Sequence, residues 1–221
     1  TCALPILYRN LGDGTFLRTT VATGLAGVSR PFVGWSTALA DFDSDGWLDL
    51  FVANGHVSYH DSQSALQQPA QLFRNIQGKR FQNVSLQGGS YFREKHIGRG
   101  AAIGDLDNDG ALDIVVTHLD EPGSLLRNRH PPRDYVRIRL RATRGDPDAI
   151  GAIVDMKLSG RRVTRCVSSG AGYGSHSDSR IIFPIGASEP REVTVTWPGR
   201  GAEIFREIKT CVTSTLVEGD G

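Results

Sequence analysis

Asp41-Phe42-Asp43-Ser44-Asp45-Gly46-Trp47-Leu48-Asp49 recurs as Asp105-Leu106-Asp107-Asn108-Asp109-Gly110-Ala111-Leu112-Asp113. Each copy of this nonapeptide sets carboxylates at positions 1, 3, 5 and 9 and glycine at position 6. Four like charges in one tight turn repel strongly unless a cation sits among them. A hard cation that accepts six to eight oxygens suits such a loop, and Ca2+ is the usual one. The glycine supplies the positive φ that lets the chain curl around the ion.

The spacing follows the first half of an EF-hand loop and then departs from it. There is no closing Glu at position 12 and no exit into a helix. The chain runs on instead as Leu50-Phe51-Val52-Ala53 and Ile114-Val115-Val116-Thr117, apolar and largely β-branched, which reads as buried strand. The ion is therefore expected to staple a turn between two strands. The expected ligands at one site are Asp41, Asp43, Asp45, Asp49 and the backbone carbonyl of Trp47. At the other they are Asp105, Asp107, Asp109, Asp113 and the carbonyl of Ala111. A solvated Asp/Gly turn is the plain alternative for one copy, and two copies in the same context weigh against it.

The acidic loops sit inside a longer repeat that organises residues 1–130. Leu7-Tyr8-Arg9-Asn10 matches Leu72-Phe73-Arg74-Asn75, with an echo at Leu125-Leu126-Arg127-Asn128. Gly34-Trp35-Ser36-Thr37-Ala38 ahead of the first loop matches Gly98-Arg99-Gly100-Ala101-Ala102 ahead of the second. Asn10 to Asn75 and Asp41 to Asp105 are both offset by about 64 positions, so the register holds across the unit. Short strands with dense turn punctuation and no sustained helical periodicity predict an all-β repeat architecture. The polar loop at residues 54–70 is long enough to carry contacts with a partner or to be a solvated excursion.

Beyond Pro131-Pro132 the pattern changes, and the domain boundary is placed there: residues 1–130 and 131–221. Residues 135–141 alternate apolar and basic side chains, the pattern of a half-buried antiparallel strand. Further short strands are predicted at 153–158, 163–168, 180–183, 193–197, 204–208 and 213–218. Seven strands in so short a stretch is the number of a β-sandwich.

Composition bounds the remaining choices. Lys and Arg number 25 against 24 Asp and Glu, so charge gives no argument for nucleic acid or an anionic membrane. No apolar run approaches the roughly 18 residues of a membrane-spanning helix. Thr1-Cys2-Ala3 reads as a cut end, with no signal peptide ahead of it. The 3 cysteines are too few for a disulfide framework. Cys166 and Cys211 can pair and leave Cys2 odd, or all three stay reduced and buried.

Taken together the two halves resemble a known pairing. The repeats are similar to FG-GAP/VCBS blades, the units of integrin-type β-propellers that hold calcium in their acidic loops. Asn54-Gly55-His56-Val57, Gln68-Pro69-Ala70-Gln71 and Gly98-Arg99-Gly100-Ala101-Ala102 look like the bacterial branch of that group. The C-terminal part resembles the ASPIC/UnbV domain that follows such blades in the cartilage acidic protein family. The matching residues are Asp148-Ala149-Ile150-Gly151-Ala152, Val167-Ser168-Ser169-Gly170-Ala171-Gly172-Tyr173, Ser175 to Asp178, Val195-Thr196-Trp197-Pro198 and Val217-Glu218-Gly219.

The resemblance implies a partial β-propeller of two blades plus a closing strand, followed by a β-sandwich. A closed propeller needs at least four blades, so it also implies a piece of a longer chain or an association that covers the open face. The implied function is a calcium-binding, secreted or surface-exposed binding or adhesion module with two Ca2+ sites and a protein or glycan ligand. Its setting would be extracellular, periplasmic or cell-surface. The alternative is a calcium-dependent propeller enzyme of lyase or cyclase type acting on a glycan or small molecule. It would draw acid/base groups from His56, His60, His96, His118, His176, Arg93, Lys95, Tyr59 and Tyr173. That alternative requires several of them to converge in one place. In the C-terminal part, the loop from Ser168 to Asp178 is either a recognition loop or part of a cap on the propeller edge.

Overall fold

The computed structural model describes residues 5–57, 65–158, 160–170, 172–186 and 192–221. Cys2, Tyr59 and His60 lie outside the described residues. The described chain is all-β apart from short turns of helix, and none of its sheets closes into a barrel.

The chain opens with a hairpin of β1 (Tyr8–Asn10) and β2 (Phe16–Arg18), and a single helical turn α1 (Leu25–Ser29) follows. Then β3 (Gly34–Ala40), β4 (Asp49–Asn54), β5 (Gln71–Ile76) and β6 (Arg80–Asn83) form one antiparallel meander in sequence order. A second meander repeats it with β7 (Gly98–Gly104), β8 (Asp113–His118) and β9 (Ser124–Leu126). The acidic nonapeptides are the turns β3–β4 and β7–β8. The exits from both loops are strands as expected, and β4 is buried at every position.

The two meanders pack through small side chains. Ala38, Ala40 and Ala53 of the first meet Ala101, Ile103 and Val116 of the second, with Phe51 and Phe92 filling the rest. Small residues along β3 and β7 let two sheets approach where bulky ones would hold them apart. The register breaks at the same place in both edge strands, between Gly34 and Ser36 and between Gly98 and Ala101. On the first sheet's other core, Leu25 from α1 packs with Leu50, Val52 and Phe73, and Leu7 and Phe81 close the cluster.

The sequence repeat and the hydrogen-bonded sheet turn out to be out of phase. By sequence, β1–β2 corresponds to β5–β6, the outer pair of the sheet, and the inner pair β3–β4 belongs to the same sequence unit as β1–β2. In space, β3–β4 pairs with β5–β6 of the next unit.

The ends of the 54–70 loop are pinned to the sheets. His56 N–H donates to the Leu66 carbonyl at 2.8 Å, and Gln68 and His96 exchange backbone hydrogen bonds at 2.8 and 3.1 Å, tying the first meander to the second.

From residue 135 seven strands build a two-layer sandwich. One sheet is ordered β13 (Ile181–Pro184), β10 (Tyr135–Arg141), β16 (Thr213–Val217). The other is ordered β12 (Arg161–Cys166), β11 (Ile153–Leu158), β14 (Glu192–Thr196), β15 (Ala202–Arg206). The inner faces bury Val136, Ile138 and Leu140 against Val154, Met156, Val193 and Val195, with Trp197, Phe183 and Phe205 at the ends. Two expectations need correction. β10 is antiparallel only to β13 and runs parallel to β16. Its alternating basic side chains do not all face water either: Arg137 is buried. The reason lies in the partner that Arg137 meets, described next.

Candidate metal centres

Both acidic loops fold alike, position by position. Gly46 and Gly110 take φ of 85° and 91°, as position 6 requires, and position 4 is left-handed too, at Ser44 and Asn108 (61° and 63°). The position-1 carboxylate reaches across its loop: Gly46 N–H donates to Asp41 Oδ2 at 2.9 Å, and Gly110 N–H donates to Asp105 Oδ2 at 3.1 Å. The position-5 carboxylate accepts from position 7, Trp47 N–H to Asp45 and Ala111 N–H to Asp109, both at 2.9 Å. Asp41, Asp43 and Asp49 each bring an oxygen within 4.8 Å of the others, as do Asp105, Asp107 and Asp109. Asp45 and Asp113 stand outside those groups.

The repeated Arg-Asn pair, whose purpose the sequence did not reveal, serves these loops. Asp49 accepts from Phe42 N–H at 3.2 Å and from Asn75 N–H at 2.7 Å. Asp113 accepts from Leu106 N–H at 3.2 Å and from Asn128 N–H at 2.8 Å. The asparagine side chains donate to loop carbonyls, Asn75 to Leu48 at 2.8 Å and Asn128 to Phe42 at 2.7 Å. The arginine before each asparagine takes the outer acids. Arg74 lies 2.6 Å from Asp43 and 3.6 Å from Asp45, and Arg127 pairs with Asp107 and lies 3.9 Å from Asp109.

The sandwich bears on the same loops. Arg137 forms an ion pair with Asp105, both side chains nearly sealed from water at 7% and 0% exposure. Arg180 donates to the Asp105 carbonyl at 2.7 Å and to Asn108 Oδ1 at 2.7 Å, and Tyr135 OH donates to the Asn108 carbonyl at 3.1 Å. On the first loop Arg161 donates to the Gly46 carbonyl at 2.9 Å and lies over the Trp47 ring at 4.0 Å, while Arg165 approaches Asp41 to 3.9 Å. A cleft of about 400 Å³ runs between the blades and the sandwich beside both loops, lined by Asp41, Gly110, Arg165 and Arg180 among others.

The electrostatics favour an additional cation. Burial pushes the Asp41 carboxyl up to about 6 and the neighbouring Asp45 and Asp43 charges add to that, against the pull of Arg165 and Gly46 N–H. Burial likewise pushes Asp49 up to about 7, and Asp43 and Asp41 add while the Asn75 and Phe42 N–H groups oppose. In each loop four carboxylates face fewer guanidinium groups, Arg74, Arg161 and Arg165 at the first and Arg127, Arg137 and Arg180 at the second. The acids outnumber the guanidinium groups, so each loop keeps a net negative charge. One atom makes the need local. Asp105 Oδ1 is buried and has no hydrogen-bond partner, although its companion Oδ2 is bonded to Arg137 and Gly110. A sealed, unpartnered carboxylate oxygen is costly unless it ligates something.

The loop at residues 168–178 lies along the open edge of the second meander. Ser175 Oγ donates to the Ala101 carbonyl at 2.7 Å, Ile103 N–H donates to Ser177 Oγ at 3.1 Å, and Asp178 N–H donates to the Ile103 carbonyl at 2.8 Å. Tyr173 meets Trp35 edge-on at 4.8 Å, and Arg99 covers the same indole at 4.1 Å. These bonds give β7 partners on the side that β8 does not occupy, which is how a cap treats an edge strand.

Cys166 and Cys211 are both exposed free thiols, so neither their pairing nor their burial is realised. His56 follows β4, and His60 lies outside the described residues. His176 contacts the Ser169 carbonyl. Arg93 donates to the Leu86 carbonyl at 3.2 Å. His96 and His118 come together at the end of the second meander, away from the acidic loops.

The family model described as ASPIC and UnbV matches residues 142–221, and the one described as an FG-GAP-like repeat matches residues 5–52. The resemblance read from the sequence is thus met in both parts. Among curated proteins the chain is similar to cartilage acidic protein 1 of Homo sapiens, 28% identical over 267 residues that cover 96% of this chain and 40% of the relative. The same protein of Xenopus tropicalis is 27% identical over 246 residues, covering 87% of this chain and 37% of the relative. The chain spans about 40% of the length of the curated relatives it matches.

Proposed function

We propose that this chain is a calcium-stabilised, non-enzymatic binding module of an extracellular or surface protein. Its blades, residues 1–130, would hold one Ca2+ in each acidic loop, and its sandwich, residues 131–221, would clamp those loops from outside. Asp41, Asp43, Asp45, Asp49 and the Trp47 carbonyl would hold one ion. Asp105, Asp107, Asp109, Asp113 and the Ala111 carbonyl would hold the other. The ion's contribution is charge neutralisation and an ordered turn. The observation that carries the reading is the buried Asp105 Oδ1 without a partner, and the residual charge of each loop supports it.

The similarity to proteins named for cartilage supports the extracellular setting. Arg9 and Asn10 support a longer chain. They occupy the positions of Arg74–Asn75 and Arg127–Asn128, yet the strand that carries them is exposed. We read them as partners for the acidic loop of a preceding blade.

Calorimetric titration of chelator-stripped protein tests the proposal. Two saturable Ca2+ sites with no comparable Mg2+ heat are expected, since Mg2+ dehydrates reluctantly and demands a stricter octahedron. Absence of any site at millimolar Ca2+ would overturn it.

A further inference from the structure

The second meander gathers a different set of metal-capable groups at its other end. His96 precedes β7, His118 closes β8 and Glu121 follows in the next turn, whereas the acidic loop joins the opposite ends of the same two strands. Seven residues of strand put the two places about 20 Å apart. We propose that His96, His118 and Glu121 form a site for a divalent transition-metal ion, with zinc the ion best matched to two imidazoles and a carboxylate.

One donor atom from each of the three lies within 4.8 Å of the others. A tetrahedral zinc site brings such atoms to about 3.3 Å apart. His96 Nδ1 and Glu121 Oε2 are already 2.9 Å apart, and the turn that carries Glu121 is free of strand pairing. His118 is already set in the tautomer that leaves Nε2 with its lone pair. His118 Nδ1 lies 2.7 Å from the Pro122 carbonyl, which can only accept, so Nδ1 carries the proton. His96 Nδ1 lies 2.9 Å from Glu121 Oε2, and Glu121 is itself held by Ile97 N–H at 3.2 Å. For His118 the Nδ1 bond to a carbonyl is the usual way a ligating histidine is oriented, and at His96 the ion would take the place of the Nδ1 proton, between the ring and Glu121 Oε2.

His96 Nε2 is buried without a hydrogen-bond partner, its closest charged neighbour being Glu94 at 3.9 Å. His118 Nε2 meets Tyr91 OH at 3.0 Å. With the His118 proton on Nδ1, the Tyr91 hydroxyl is the donor in that bond. Tyr91 therefore competes with a metal for the His118 lone pair, while its ring stacks on His96 at 4.5 Å and holds that imidazole in place. Imidazole ligands suit borderline ions such as zinc and are a poor match for Ca2+. The site is thus chemically orthogonal to the acidic loops.

The test is a zinc titration by calorimetry into protein saturated with about 10 mM Ca2+, which occupies the acidic loops. One zinc site of micromolar affinity or tighter is expected. His96→Gln and His118→Gln should each weaken it by about 100-fold, and Glu121→Gln by about 10-fold. Tyr91→Phe, which keeps the ring and removes the competing hydroxyl, should tighten it several-fold. His176→Gln, at an exposed histidine outside the cluster, should leave zinc affinity unchanged. Should the histidine variants fail to fold, Co2+ added to the wild-type protein answers the same question. It should broaden the ring resonances of His96 and His118 and spare His176. Zinc binding that is absent, or indifferent to both histidine variants, or cobalt broadening that misses these two rings, would overturn the proposal.

Discussion

Replacing Asp105 by Asn removes one charge and keeps the shape, and its effect can be divided into two measurable parts. The first is independent of calcium. Arg137 loses its anionic partner in a buried pair, which costs about 3–5 kcal/mol. It appears as a lower melting temperature in chelator. The second part depends on calcium. An ion that binds only the folded state at 100 times its Kd stabilises by about 2.7 kcal/mol. For a chain of this size each kcal/mol moves Tm by about 2–4 °C, so each site is worth about 5–11 °C. Thermal unfolding followed by circular dichroism, with and without about 10 mM Ca2+, reads both parts. Wild type should rise by the increment of two sites and Asp105→Asn by that of one. Asp41→Asn should lose the other, and the double variant should lose both. A calcium increment that is unchanged in Asp105→Asn, or reproduced in full by Mg2+, would refute the argument from the orphaned oxygen.

Four further outcomes are expected. Arg137→Met should destabilise by about 3–5 kcal/mol in chelator and by less in calcium, because the ion then shares the Asp105 charge; denaturant unfolding at the two calcium levels compares them. Gly110→Ala should cost about 2–4 kcal/mol, since a Cβ there would lie 2.2 Å from the Tyr135 ring at φ 91°. Gly12→Ala, at φ 85° in open space, should cost only the strain of about 1 kcal/mol and serves as its control. Asp155→Asn should flatten the acid limb of the stability profile. The hydrogen bond from Arg162 holds the Asp155 carboxyl below its ordinary value, with a further bond from Thr164 and burial opposing. A depressed carboxylate contributes its stability above the unfolded value of about 4 and loses it as pH falls through the folded one. Wild type should therefore lose more than the variant between about pH 4 and 2, read by urea unfolding at each pH.

What the sequence disclosed and what it hid divide along physical lines. Local patterns were legible: the Asp spacing and Gly46 or Gly110 specify a turn, and period-two alternation specifies strands such as β11 and β14. Pairing across long separations was not. Nothing local marks β10 and β16 as parallel neighbours, since each strand looks the same whichever way its partner runs. Arg137 looked like an exposed member of an alternating strand because its partner Asp105 is far away in sequence. The Arg-Asn pairs at 74–75 and 127–128 were visible as a repeat, and their role became clear only when β5 and β9 were seen beside the acidic loops. The gathering of Tyr91, His96, His118 and Glu121 had a faint signal, a clustering within one unit, but convergence depends on the β7–β8 pairing that brings the strand ends together.

The phase difference between repeat and sheet has a mechanical consequence. The FG-GAP-like match, residues 5–52, covers the outer hairpin of one sheet position and most of the inner hairpin of the next. Each covalent unit thus overlaps a seam between neighbouring sheets, as courses of brick overlap the joint below. A force that separates two blades cannot act on side-chain packing alone. It must also draw taut the linker at residues 19–33, whose Leu25 is embedded in the Leu50–Phe73 cluster. It must break the bond from Phe81 N–H to the Thr23 carbonyl as well. Tension along such a chain is carried in shear by strands rather than peeled away at an interface.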